Sequence, residues 1–129
     1  MEAPPKWAQE LLLNALVWWE GEGNEVPTPT LEWSRRYSGD SSGVAFCAPQ
    51  KHIRIRSGRK PLDAKHNLLH ELAHLLRPIR EEHSLAFWDT AWALYRWAKL
   101  PMRYCLQRER DYRKLAAVSY RNSRRRVKA

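Results

Sequence analysis

Hydrophobic positions recur along this chain with two different periods, and each change of period marks a new element. Trp7, Leu11, Ala15 and Trp18 repeat every three to four residues, which predicts a first helix after Pro4 and Pro5. Gly21, Gly23, Asn24, Pro27 and Pro29 end it and form a loop. From Leu31 the period falls to two, with Leu31, Trp33, Arg35 and Tyr37 alternating against Glu32, Ser34 and Arg36 as in a strand. Residues 38–43 are a turn cluster, Val44 to Ala48 predicts a second strand, and Ile53 and Ile55 between His52, Arg54 and Arg56 predict a third. Short strands joined by turns lead us to expect a small antiparallel meander with one face on the helices. If the third strand is an edge, its free backbone groups can pair with an extended peptide.

The helical period then returns. Leu62, Leu69, Leu72, Ala73 and Leu76 form an apolar stripe, while His66, His70, Glu71 and His74 gather on another face. Pro61 and Asp63 suit a helix start and Pro78 a stop, so the helix is expected over Leu62 to Leu76. His83 and Ser84 open a further helix, with Leu85, Trp88, Trp92 and Tyr95 on one stripe and Phe87, Ala91, Leu94 and Ala98 beside it. Pro101 breaks that pattern. Residues 102–118 read as a fourth, more charged helix, and the chain from Ser119 onward as frayed. The predicted class is α+β: an N-terminal helix, a three-stranded antiparallel β-meander, a histidine-bearing helix and further packing helices.

At 129 residues the chain can build a single core, and 43% hydrophobic residues with seven tryptophans exclude a disordered polymer. No apolar run approaches the ~20 residues of a membrane span, and Gln9, Glu10 and Asn14 argue against a signal peptide in Trp7 to Trp19. Cys47 and Cys105 share no metal or redox spacing and read as reduced thiols of a cytoplasmic protein. The net charge of +9 is unevenly placed: residues 103–129 carry ten Lys/Arg against Glu109 and Asp111, a local +8. We therefore divide the chain into a body, 1–101, and a basic C-terminal helix and tail, 102–129. Basicity of this kind suits contact with DNA or RNA, where each neutralised phosphate releases counterions; it also suits a solvated tail that aids solubility.

The chemistry sits in His70-Glu71-Leu72-Ala73-His74. Histidines four apart lie one turn from each other on one helix face, so their imidazoles can share a cation. A glutamate beside the first is placed to take a proton from the attacking water of a zinc hydrolase. Such a site needs a third ligand. Arg77 and Arg80 occupy the positions where a metzincin needs Gly and His, and no acid lies between Asp89 and Glu109 to serve as a thermolysin-type ligand. His83, just after a short connection, is the best candidate, with Glu81, Glu82 and Asp89 as alternatives. His66, one turn before His70, is expected to line the cleft or to hydrogen-bond a neighbour, since three successive imidazoles on one helix cannot reach one tetrahedral ion without strain. Asn67 could orient Glu71, and Tyr37 or Tyr95 could stabilise an oxyanion.

The series His70-Glu71-Leu72-Ala73-His74-Leu75, followed by His83-Ser84-x-x-Phe87-Trp88, resembles the SprT-like and YgjP-like zinc metallopeptidases. The upstream order of helix, β-meander and Ile-x-Ile strand resembles them too, over about residues 5–98. The resemblance implies a zincin-like fold, Zn²⁺ held by His70, His74 and His83, and Glu71 as general base. Ser84 stands where SprT-type sequences have glycine, and the connection to His83 is intermediate in length between the two groups. The expected function is peptide-bond hydrolysis by a monomer. Substrate would lie extended along the strand before the metal helix, and the basic C-terminus would recruit the enzyme to nucleic acid. The rival is a nucleic-acid-binding protein whose zinc is structural or vestigial.

Overall fold

A computed structural model describes residues 3–35, 43–46, 51–77, 83–109 and 113–128. The order is α1 (Lys6–Gly21), β1 (Thr30–Ser34), β2 (Gly43–Phe46), β3 (His52–Arg56), α2 (Pro61–Leu76), α3 (Leu85–Trp97), α4 (Met102–Arg108) and α5 (Arg113–Lys128). The α+β class holds, as one helix, a three-stranded sheet and four further helices. Tyr37, Cys47, Glu81 and Glu82 fall outside the described residues.

On α1 the innermost stripe is Ala8, Leu12 and Ala15, with Trp7, Leu11 and Trp18 half-buried on its flanks. Small residues at the centre let the backbone approach α2, and the indoles reach outward to neighbouring elements. Trp7 meets Trp33 edge-on, and Trp18 stacks on Trp97 with ring centroids 5.6 Å apart.

The sheet corrects the expected meander. Its order is β1-β3-β2, with β1 parallel and β2 antiparallel to β3. The chain thus inserts its third strand between the first two. Ile53 and Ile55, both fully buried, fill the inner face of this central strand. On the other face, Glu32 of β1 accepts from His52 Nε2 at 2.9 Å and from Arg54 Nε at 3.0 Å, both on β3. That charge pairing across the parallel register offers β1 a better neighbour than β2 does. Because β3 is paired on both sides, it has no free edge for a peptide. Among the described residues the sheet's edges are β1 and β2.

Pro61 opens α2 at its first position, and Asp63 in the first turn suits the helix dipole. The helix ends at Leu76, before an extended Arg77 (φ −123°, ψ 151°), as the residue preceding Pro78 requires. Leu68, Leu69, Leu72 and Ala73 are fully buried in the core, where α2 packs on the sheet, α1 and α3. Ser84 caps α3, its Oγ accepting from the Phe87 N–H at 3.3 Å. At the other end Lys99 adopts a left-handed φ of 60°, with Leu100 N–H bonded to Tyr95 O and Lys99 N–H to Arg96 O, a Schellman closure.

Beyond Pro101 the structure departs from expectation twice. The single helix over 102–118 is two helices, α4 and α5, and the chain from Ser119 is not frayed but helical to Lys128. Residues Ala116, Ser119 and Ser123 of α5 are buried where it packs on α3. Trp92 Nε1 donates to Ala116 O at 3.0 Å, Ser119 Oγ to Asp89 Oδ1 at 2.6 Å, and the Arg96 guanidinium to Ser123 Oγ at 2.9 Å. This seam is built from alanine and serine, so an apolar periodicity does not reveal it. Among the described residues no helix is long and apolar enough to cross a membrane.

Candidate metal centre

The i, i+4 spacing on α2 brings the imidazoles of His70 and His74 together edge to face, with ring centroids 5.1 Å apart. His83 comes to the same point from the residue just before the α3 cap. It does so with a left-handed backbone, φ 51°, a conformation that histidine tolerates better than most residues. One ring nitrogen from each of the three lies within 4.8 Å of the others. His70 Nε2 and His83 Nε2 are 3.3 Å apart. Tetrahedral zinc with ~2.0–2.1 Å bonds to nitrogen separates its ligand atoms by about 3.3–3.4 Å, so the His70–His83 spacing and the all-imidazole donor set suit that ion.

Aromatic rings hold these imidazoles in place. Phe87 stacks on His74 at 4.2 Å and meets His70 and His83 edge-on, each at 5.1 Å. Trp88 stacks on His83 with centroids 5.8 Å apart. Phe87 and Trp88 are both fully buried, so the α3 start that carries His83 is fixed by the rings that line the triad. Arg77 Nε, at the exit of α2, donates to Thr90 Oγ1 of α3 at 2.7 Å and ties the two helices together.

Glu71 is half-buried beside His70. Strand β2 passes close to it: a Cβ added at Gly43 would lie 3.1 Å from Glu71 Cγ, 3.0 Å from Ile55 Cδ1 and 3.2 Å from Arg54 O. Glycine lets this edge strand come close to the Glu71 side chain without pressing on these neighbours.

Behind His70 sits a residue that sequence reasoning counted only as a charge. Glu109, the residue that ends α4, is 3% exposed. Its Oε2 accepts from His70 Nδ1–H at 2.9 Å and from the Tyr95 hydroxyl at 2.8 Å. Helices α2 and α4 are laced together on the way there. Tyr104 donates to Asp63, and Arg108 Nη2 donates to Asn67 Oδ1 at 2.8 Å. The one sequence sign of this was an acid, one of two with Asp111, within a basic run.

Asn67 is engaged by Arg108, and Tyr95 spends its proton on Glu109 in the core, so neither takes the role of Glu71 partner or oxyanion donor proposed from sequence. His66 is 3% exposed and stacks on Tyr95 at 4.8 Å, away from the triad's shared point. Asp89 accepts from Ser119 on α5 and is not part of the cluster. The groove of about 600 Å³ along α1, lined by residues such as Leu13, Val17 and Pro27, contains none of the triad.

Burial, aided by the neighbouring His70 and His83, pulls His74 down to about 3, so its imidazole is neutral at pH 7 and free to ligate. For His70, burial also acts downward, but the hydrogen bond and charge of Glu109 outweigh it and raise the pKa. Burial pushes Glu109 up, yet its bond to His70 brings the carboxyl below its ordinary value. Burial pushes the Cys105 thiol up to about 12, which leaves it an inert core side chain. Comparison with protein-family models, curated proteins and solved structures gives no match.

Proposed function

We propose that this chain is a zinc-dependent metallopeptidase of SprT-like or YgjP-like type. The observation that carries the reading is the convergence of His70, His74 and His83 on one point, with Glu71 adjacent in sequence to the first. Zinc, when bound, supplies a Lewis acid that polarises a carbonyl and acidifies water. The protein's own part is positional and protonic. Three imidazoles, held by Phe87 and Trp88, fix the cation. Glu71 takes the proton from the attacking water and returns it to the leaving amine. An extended peptide pairs with the edge strand β2, whose Gly43 brings backbone groups against Glu71.

The test is zinc content together with hydrolysis of an unstructured protein such as casein. About one zinc per chain is expected; His70→Ala and His74→Ala lose it, and His83→Ala binds it much more weakly. Glu71→Gln keeps the metal and loses hydrolysis, because an amide cannot accept the water's proton. Full zinc occupancy in the His70 or His74 variant refutes the site.

A second reading, a nucleic-acid-binding protein with a structural zinc, is favoured by one feature of the fold. Helix α5 leaves Lys114 and Arg121 exposed while its Ala116, Ser119 and Ser123 are buried. The two readings combine if basic α5 recruits the peptidase to DNA or RNA. Binding to a labelled oligonucleotide should then fall with salt, and Lys114→Gln with Arg121→Gln should flatten the slope by about 0.9 for each duplex phosphate no longer neutralised. These substitutions are preferable to deleting residues 119–129, which carry part of the seam to α3.

A further inference from the structure

The carboxylate of Glu109 is buried where it has little reason to be. An anion at 3% exposure is costly unless a cation or several donors compensate it. Among the described residues no lysine or arginine forms an ion pair with it; the imidazole nitrogens beside it are His70 Nδ1 at 2.9 Å and His66 Nε2 at 3.7 Å. Tyr95 contributes a neutral hydroxyl. Nor is the carboxylate there by accident of a loose terminus. Cys105, one turn earlier, is fully buried, and Tyr104 and Arg108 bind Asp63 and Asn67 of α2. Positions 63, 67 and 70 of α2 thus meet positions 104, 108 and 109 in order, and the last of these meetings falls on the first imidazole of the triad.

We infer that Glu109 is the positioning residue of the metal centre, holding His70 as its Nδ1–H tautomer so that the Nε2 lone pair faces the cation, and supplying a buried negative charge against it. The inference rests on the zinc reading and extends it to a residue outside the ligand set. The geometry carries it: with the proton on Nδ1 pointing at Oε2, Nε2 of His70 is left as an acceptor, 3.3 Å from the equally placed Nε2 of His83. A carboxylate does more here than a backbone carbonyl would, because its charge makes the imidazole a stronger donor to the metal. Tyr95, by donating to the same oxygen, keeps the carboxylate from rotating away. Glu109 touches no substrate and is not a catalytic residue.

The experiment is zinc affinity by competition with a chromogenic chelator, on the full chain and its variants. Glu109→Gln keeps the shape and removes the charge, and should bind zinc about 10–100-fold more weakly. Glu109→Asp keeps the charge on a shorter arm and should fall between the two. A merely structural role would instead make the Asp variant, with its cavity, no better than the Gln variant. Because a variant here can fail to fold, a second measurement uses the wild-type protein. In its zinc-loaded form, ¹H–¹⁵N NMR of the imidazoles should show His70 protonated at Nδ1, with slowed exchange, and metallated at Nε2. Wild-type zinc affinity in a folded Glu109→Gln protein, or His70 metallated at Nδ1, overturns the inference while leaving the zinc site standing. A wild-type chain that binds no zinc overturns the metallopeptidase reading itself, and this inference with it.

Discussion

The ring of Phe87 lies against the ring of His74, with centroids 4.2 Å apart and planes 23° from parallel. One residue of α3 therefore sets the tilt of an imidazole on α2. Phe87→Ala should cost about 3–5 kcal/mol, since a fully buried ring leaves a cavity. It should also weaken zinc binding, because His74 and His83 both lose a wall. Denaturant unfolding and chelator competition on one variant read the two effects, and unchanged zinc affinity would separate ring packing from the metal centre.

Gly43 gives a prediction about Glu71. An added methyl would meet a backbone oxygen at 3.2 Å, which cannot swing aside as a side chain can. Gly43→Ala should destabilise by about 1–3 kcal/mol through overpacking. It should displace β2 or Glu71, lowering hydrolysis while zinc content holds. Full activity would show that the strand's approach to the Glu71 side chain is unimportant.

The metal-free chain should be acid-sensitive through His66. Burial is the main cause that brings this imidazole down to about 4, against about 6.5 unfolded. Above pH 6.5 both states are neutral and the stability is fully present. As pH falls from 6.5 to 4 the unfolded chain takes up a proton that the folded one refuses, which costs about 3 kcal/mol in all. Glu109, held below its ordinary value, acts in the same direction at lower pH, as its carboxylate protonates. His70 acts oppositely, losing its contribution as pH rises through its raised value. In chelator-treated protein, His66→Phe should flatten the loss between pH 7 and 4; an unchanged slope would assign the acid response to other groups.

Lys99 holds a conformation at the end of α3 that glycine adopts without steric cost. Its side chain is exposed, so replacement removes no packing. Lys99→Gly should raise stability by about 1 kcal/mol, the usual left-handed penalty. Thermal and urea unfolding check this, and a lower midpoint would mean the lysine makes a compensating contact.

What the sequence disclosed divides along physical lines. The bounds of α2 were legible because Pro61 and Pro78 act locally, and the two inward isoleucines of β3 because alternation is a local property. Gathering of His70, His74 and His83 followed from helical spacing and a short connection. The strand order was not legible: a period of two says which face a residue takes, not which strand lies beside it. Here Glu32 decides the neighbour from 20 and 22 residues away. The packing of α5 was hidden because Ser119 and Ser123 are polar residues used as seam. Glu109 was hidden for a related reason, since its partner is 39 positions distant and its neighbours advertise solvent.

That distance has a meaning in the life of the chain. During synthesis the three imidazoles have all been made once His83 is added, but the carboxylate that backs His70 is still 26 codons away. At ordinary elongation rates this leaves about 1–5 s in which a nascent chain carries the triad without its support. A message cut short in that interval would yield a polypeptide with every histidine in place and His70 unbacked. The late carboxylate makes synthesis past residue 109 a condition for a backed His70.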